Sequence, residues 1–357
     1  MDLQDLGLEK KLLPKVLALE DEGFEVGRVI AEYKERYKVY TLNATYSAEI
    51  TGNLRFTASS REDFPAVGDW VKLNIYDKES AIIMEILERK NKLARQAVGK
   101  HAEEQLIATN VDAAFIVQAV GYDFNLNRLE RYLAICHASN IQPIIVLSKT
   151  DLLNKTEVDK LVQKVQNRVQ SIPVVKLSNI SLEGLDIIKS HIVAGNTYCV
   201  LGSSGVGKST LLNRLLDKEL MVTQDISEST SKGRHTTSHR ELFVLRDGGI
   251  LIDTPGMREL GMTNSGEGVD TTFDFISELA LNCKYKDCTH STEDHCAVLE
   301  AVDEGKIDAS ALENYHKLKR EQAHYSSTLE EKRKKSKLQG KMYKQIQEAK
   351  RKNKTGN

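Results

Sequence analysis

Residues 202–209 combine glycines, a lysine and a hydroxyl in the order that a phosphate-binding loop requires. The segment reads Gly202, Ser203, Ser204, Gly205, Val206, Gly207, Lys208 and Ser209, followed by Thr210. Glycines let backbone N–H groups turn inward around phosphate oxygens. The lysine reaches the outer phosphates, and the Ser209 hydroxyl is a ligand for Mg²⁺. Because a strand pattern precedes the loop and a helical pattern follows it, we predict that residues 202–210 bind a nucleoside triphosphate with Mg²⁺.

A second phosphate signal lies 44 residues after Ser209, where an apolar strand pattern ends in Asp253 and continues to Gly256. We expect Asp253 to hold Mg²⁺ and the Gly256 N–H to bond the γ-phosphate. The polar segment between the two signals is typical of a nucleotide-sensing switch. In it, Thr236 or Thr237 offers a hydroxyl and a carbonyl to Mg²⁺ and the γ-phosphate.

Two further segments predict that the base is guanine. The first contains Ser148, Lys149, Thr150 and Asp151, and the second, 27 residues later, contains Ser178 and Asn179. Asp151 can accept from guanine N1–H and the 2-amino group, and the Lys149 stem can cover the base. The first segment resembles the NKxD motif, but Ser148 stands where that motif has asparagine. Serine is shorter and makes fewer bonds, so we expect guanine preference to survive with weaker affinity.

The order of these motifs is permuted, because the base-reading segments precede the phosphate loop. The same sheet forms if the usual termini are joined and new ones are opened elsewhere. This arrangement bonds the segment around Gly256 directly to residues 263–310.

The residue after Gly256 bears on the rate of hydrolysis. Many GTPases have a glutamine there to orient the attacking water, whereas this chain has Met257, whose thioether is a weak acceptor. We therefore expect slow hydrolysis by the free protein. His235 in the switch segment is a candidate catalytic replacement. The alternatives are that His235 only packs or caps the loop, and that a partner supplies the missing group.

Four potential metal ligands lie within fourteen residues of one another. They are Cys283, Cys288, His290 and Cys296. Three thiolates and one imidazole suit a closed, structural Zn²⁺ site. His295 is a competing ligand for His290.

Composition favours a cytoplasmic protein that binds a polyanion. No apolar run is long enough to span a bilayer, the N-terminus lacks a signal-peptide core, and a Cys/His cluster in a reducing compartment indicates metal rather than disulfides. The net charge is −1, but residues 332–354 hold eleven Lys or Arg and one acid. This basic tail suits a polyanionic partner, with a solubilising helix as the alternative.

The elements that must position these residues form a multidomain α/β protein. Strand and helix periodicities predict a helix at 1–23, a five-stranded barrel of the oligonucleotide-binding type at 24–97 and a parallel GTPase sheet covered by helices at 103–262. A helical zinc-binding domain at 263–320 and a basic helical tail at 321–357 complete the chain. Small barrels of this kind bind nucleic acid in some proteins and not in others.

The barrel, the permuted motifs and the C-x₄-C-x-H-x₅-C spacing together resemble the ribosome small-subunit-dependent GTPase A family, from about residue 24 to 320. The resemblance implies GTP and GDP as ligands, with Mg²⁺ and one structural Zn²⁺. It also implies a role late in the maturation of the small ribosomal subunit: binding to the subunit and its rRNA in the GTP state, stimulated hydrolysis and release. We expect a monomer. An RNA-binding scaffold with incidental hydrolysis is the main alternative, and Asp151 argues against an ATPase.

Overall fold

In a computed structural model, the structure describes residues 2–33, 36–96, 104–169, 171–216, 240–254 and 266–324. The N-terminal segment contains a 3-10 turn at Lys10–Leu12 and helix α1 at Leu13–Asp21. Most apolar residues of this segment are buried in the main core, as their spacing predicts, whereas Leu17 of α1 is exposed. The buried residues include Leu8, Leu12, Val16 and Leu19.

Five strands then close into the predicted barrel. They are β1 (Glu25–Tyr33), β2 (Arg36–Tyr40), β3 (Thr45–Ile50), β4 (Trp70–Asp77) and β5 (Ser80–Ile86). The pairings run β1–β2, β2–β3, β3–β5, β5–β4 and β4–β1, which leaves no open edge within the ring. Alternate residues such as Val39, Ala48 and Leu73 fill its interior.

The barrel differs from the sequence prediction after β3. The sequence AEITGNLRF predicts a third strand that continues to Phe56, but Gly52–Thr57 form helix α2. The Thr51 hydroxyl accepts from the Leu54 N–H at 3.0 Å, and this cap favours a helix over an extended chain. A hairpin of β6 (Lys92–Gln96) and β7 (Glu104–Thr109) follows the barrel.

The central sheet has the strand order β10-β9-β8-β11-β13-β12. The strands are β8 (Ala113–Ala119), β9 (Gln142–Ser148), β10 (Val174–Leu177), β11 (Thr197–Leu201), β12 (Glu241–Val244) and β13 (Ile250–Asp253). Five of them are parallel, but β12 runs antiparallel to β13, so the prediction of an all-parallel sheet is wrong at this edge. The connection from β12 to β13 is only five residues long, which permits a hairpin but not a parallel crossover.

Helices of this domain follow the strands that they cover. They are α3 (Leu126–Ala138), α4 (Lys155–Arg168), α5 (Leu185–Ser190) and α6 (Lys208–Leu216). At the β12 edge of this sheet, Ala31 of β1 pairs with Glu241 of β12. The barrel and the central sheet therefore form one continuous eleven-stranded sheet.

The C-terminal part is helical and packs on α3. It contains α7 (Gly266–Thr272), α8 (Asp274–Ala280), α9 (Ala297–Asp303) and a helix at 309–324. A Cβ at Gly268 would lie 2.2 Å from the Ala134 carbonyl, so only glycine permits this approach of α7 to α3. Among the described helices, none combines the length and apolarity needed to cross a bilayer.

Candidate functional site

The phosphate loop connects the end of β11 to the first turn of α6. Gly202 has φ 144°, and a Cβ there would lie 2.2 Å from the Val117 carbonyl of β8. A glycine is therefore required at position 202, because the loop backbone passes so close to the end of β8 that any side chain would clash. Ser204 and Gly205 are exposed in the loop, as are Ser209 and Thr210 on α6, so these groups remain accessible to a ligand.

Lys208 is held inside the loop. Its ammonium donates to the Gly202 carbonyl at 2.8 Å and to the Ser203 carbonyl at 2.5 Å. Burial lowers the pKa of Lys208, while the nearby Asp253 carboxylate opposes that shift. The positive charge is therefore preorganised beside the loop, and a phosphate anion would offset the cost of burying it.

Asp253 ends β13 next to the loop. Burial, assisted by the Glu241 carboxylate, raises the pKa of Asp253 to about 6, and Lys208 acts in the opposite direction. The following residue, Thr254, is buried and donates its hydroxyl to the Val200 carbonyl of β11 at 2.9 Å. A half-buried carboxylate with a like charge directly across the strand pair fits a divalent cation such as Mg²⁺.

The base-reading segments are tied to each other and to the phosphate loop. The Ser148 hydroxyl donates to the Val206 carbonyl at 2.6 Å, and the Ser178 hydroxyl donates to Asp151 Oδ1 at 2.7 Å. Ser148 is fully buried, so this serine still braces the phosphate loop. Asp151 is exposed. Its Oδ1 accepts from Ser178, so its other carboxylate oxygen remains available to a ligand.

Three neighbours complete the base-reading segments. Lys149 takes the left-handed conformation, with φ 59°, and is half-buried, while Thr150 is buried in a 3-10 turn. Asn179 reaches the phosphate loop, where its Nδ2 donates to the Gly207 carbonyl at 3.3 Å. Residues from β9, β10 and β11 thus meet at the carboxyl edge of the sheet, where ligands of open α/β sheets bind.

Four predicted residues lie outside the described residues. They are His235, Thr236, Thr237 and Gly256. Their roles stay predictions, as does that of the basic tail at 332–354.

The predicted metal ligands are brought together. The ligand atoms of Cys283, Cys288, His290 and Cys296 all lie within 4.8 Å of one another. Cys283 Sγ is 3.8 Å from Cys296 Sγ and 3.6 Å from His290 Nδ1. A tetrahedral ion with metal–sulfur bonds of about 2.3 Å needs sulfur–sulfur edges of about 3.8 Å, so the spacing fits zinc. His295, the competing candidate, contributes no atom to this cluster.

Sequence reasoning missed Arg240, which lies at the end of the switch segment. Its Nη1 donates to the Leu106 carbonyl at 2.7 Å and lies 3.5 Å from Glu32 Oε2 of the barrel. It also missed Arg28, a buried guanidinium that donates to carbonyls of Leu6 and Gly68 and to the Thr197 hydroxyl. Each contact joins residues at least 22 positions apart in sequence, and no local pattern signals such pairs.

The fold and the site define a circularly permuted P-loop GTPase. The model of the RsgA GTPase family matches residues 86–263, and a Vibrio vulnificus protein named small ribosomal subunit biogenesis GTPase RsgA 2 is 40% identical over 347 residues. That alignment covers 97% of this chain and 95% of the relative. The chain belongs to the RsgA GTPase family.

Other comparisons agree. A Methanosarcina acetivorans protein named small ribosomal subunit biogenesis GTPase RsgA is 43% identical over 82% of this chain and 78% of its own length. YjeQ from Thermotoga maritima superposes with a TM-score of 0.63 at 24% identity, over 84% of this chain and 99% of that one, and shows the shared fold. YloQ, described as a circularly permuted GTPase, gives a TM-score of 0.60 at 26% identity, over 84% and 96% of the two chains. A second family model, described as 50S ribosome-binding GTPase, matches residues 197–334.

Proposed function

We propose that this GTPase acts late in the maturation of the small ribosomal subunit. It binds the subunit and its rRNA in the GTP state, hydrolyses GTP when the subunit stimulates it, and is then released. The observation that carries the proposal is where the accessory domains attach. The barrel pairs with β12, immediately after the switch segment, and the C-terminal helices follow the segment after Asp253. Both domains are thus attached at the ends of the segments that sense the γ-phosphate. The names of the two relatives support the choice of subunit.

We propose the same five parts of the chain that the sequence predicts. They are the N-terminal helix at 1–23, the barrel at 24–97, the GTPase domain at 103–262, the zinc-binding domain at 263–320 and the basic tail at 321–357. Within the central domain, Lys208 holds the β- and γ-phosphates, and Ser209 and Asp253 position Mg²⁺. A Mg²⁺ ion held there would neutralise charge on the transferring phosphoryl group. Asp151 and the Asn179 backbone N–H read the base. Thr236, Thr237 and Gly256 contact the γ-phosphate, and His235 orients water once the subunit orders the switch.

The Cys/His cluster is proposed to hold one structural Zn²⁺, because its spacing fits a tetrahedral ion and all four ligands come from protein. Metal analysis of protein purified without chelator tests this, and a content well below one zinc per chain would contradict it. Binding to a ribosomal subunit also places the protein in the cytoplasm, where we propose that it acts as a monomer.

The decisive experiment measures GTP turnover with small subunits, with large subunits and without ribosomes. We expect slow turnover alone and at least tenfold stimulation by small subunits only, with Lys208→Ala inactive in every arm. The large-subunit arm is required because the second family model carries that subunit in its description. Tight GTP-dependent binding to small subunits without stimulation would instead favour the scaffold function.

A further inference from the structure

The guanine site has a side chain that the motif comparison leaves without a role. Two hydroxyl groups of the base-reading segments, those of Ser148 and Ser178, already donate their hydrogens to protein acceptors. The Ser148 hydroxyl has one hydrogen, which it donates to the Val206 carbonyl, and the residue is fully buried. Ser178 likewise gives its hydrogen to Asp151 and accepts from the N–H groups of Ile180 and Ser181. Position 148 therefore offers no N–H or O–H to a base.

Asn179 is different, because its carboxamide is only partly satisfied. Its Nδ2 has two hydrogens, and one goes to the Gly207 carbonyl. Its Oδ1 is buried and has no partner among the described residues. Turning the amide over would set Oδ1 against the Gly207 carbonyl, so the orientation with Nδ2 on Gly207 is the favourable one. One N–H of this amide remains unspent.

Asn179 lies between Asp151 and the phosphate loop, in the same order as the O6 and N7 acceptors lie between N1–H and the sugar-phosphate side of guanine. Asp151 is held by Ser178, Asn179 follows Ser178 in the chain, and the Asn179 amide contacts Gly207 of the phosphate loop. In guanine, N1–H is followed around the ring by O6 and then by N7, both acceptors. With N1–H at Asp151 and the phosphates at the loop, the acceptor edge of the purine faces Asn179.

We propose that Asn179 is a specificity-determining residue whose side-chain amide donates to N7 of the guanine, taking the place of the asparagine that Ser148 replaces in the base-reading motif. The Asn179 backbone N–H, which has no partner among the described residues, is left for O6. The base then meets a carboxylate on one edge and an amide on the other, and the amide also fixes the base-reading loop to the phosphate loop.

The test compares GTP with 7-deaza-GTP, which differs only in having C–H instead of N7. Dissociation constants are measured by competition against a fluorescent GDP for the full-length protein. The wild type should bind GTP about three- to tenfold more tightly than 7-deaza-GTP, the effect of one net hydrogen bond. In Asn179→Ala and in the isosteric Asn179→Asp, which lacks the N–H, that ratio should fall to about one.

Ile180→Ala is the matched control, because Ile180 is the next residue and is 80% exposed. It should keep the wild-type ratio. A purely structural role for Asn179 would weaken both nucleotides equally and preserve the ratio, which would overturn the proposal. Equal binding of the two nucleotides by the wild type would also overturn it. Competition with ATP, run in parallel, reports guanine selection itself and is independent of N7.

Discussion

Asp253 illustrates how a residue with a proposed role in Mg²⁺ binding can oppose stability. Its carboxylate lies directly across the β12–β13 pair from Glu241, and like charges in that register are destabilising. Burial is the larger cause of the raised pKa of Asp253, which reaches about 6 from 3.8. In the unfolded chain the proton leaves near 3.8, whereas the folded protein keeps it to about 6. The native state therefore loses stability as pH rises through this window, and the full cost remains at neutral pH.

We predict that Asp253→Asn stabilises the nucleotide-free protein while abolishing GTP turnover. Removing the charge should increase the free energy of unfolding at pH 7.5 by ~2 kcal/mol, somewhat less than the ~3 kcal/mol of the whole pKa shift because solvent reaches part of the side chain. The gain should vanish near pH 4, where Asp253 is largely protonated. Urea unfolding at the two pH values measures this difference. Asp247→Asn, in the exposed turn between β12 and β13, should change neither value.

At the scale of elements, β12 connects the nucleotide site to the barrel. Asp253 pairs with Glu241, and Glu241 pairs with Ala31, so three adjacent strands join the acid proposed to hold Mg²⁺ to the barrel wall. Arg240 adds side-chain contacts to Leu106 and Glu32 at the point where the switch segment ends. Strand β12 is too short to shift without disturbing one of these partners.

We predict that Arg240→Met uncouples the barrel from the bound nucleotide. Trp70, the sole tryptophan of the chain, is 1% exposed on β4 and lies 5.6 Å from the Arg28 guanidinium beside the central sheet. In the wild type, the fluorescence emission of Trp70 should differ between the protein bound to GDP and the protein bound to a non-hydrolysable GTP analogue. This difference in emission should fall by more than half in Arg240→Met. Arg36→Met, which removes an exposed ion pair with Glu49 between β2 and β3, serves as the control. An unchanged difference in Arg240→Met would show that β12 does not transmit the nucleotide state.

The comparison of sequence with structure separates local from long-range information. The phosphate loop between β11 and α6 and the clustering of three cysteines with His290 were predictable because each depends on residues close together in sequence. The antiparallel direction of β12 and its pairing with β1 depend on contacts between distant segments, which periodicity does not encode. The Ser148–Val206 bond was missed for the same reason: the substitution suggested a lost contact, but the backbone brings the shorter side chain close enough to donate.

At the scale of the whole molecule, a buried polar network holds the C-terminal helices against the GTPase domain. Arg168 at the end of α4 donates to Glu130 of α3 at 2.5 Å and to Asp308 at 2.8 Å. Asn314 donates to the second Glu130 oxygen at 2.6 Å. Burial raises the pKa of Glu130, and the Arg168 contacts oppose that shift. A partly buried ion pair between Arg131 of α3 and Glu321 of the helix at 309–324, at 2.7 Å, also joins these two elements.

We predict that this network, rather than the surface ion pairs, determines how firmly the C-terminal helices dock. Arg168→Ala leaves Glu130 buried without its cation and should lower the free energy of unfolding by about 3–5 kcal/mol, with faster amide exchange throughout residues 309–324. The double variant Glu130→Leu/Arg168→Met should recover most of that loss, because apolar side chains of similar volume carry no unpaired charge. Arg128→Ala is the matched control, since Arg128 of α3 pairs with Asp123, just before that helix, at an exposed position, and the pair should contribute no more than about 1 kcal/mol. The prediction would be contradicted if Arg168→Ala and Arg128→Ala lowered the free energy of unfolding equally. Faster amide exchange in the double variant than in Arg168→Ala would also contradict it. In either case the close contact of Gly268 with α3 would become the main candidate for what docks the C-terminal helices.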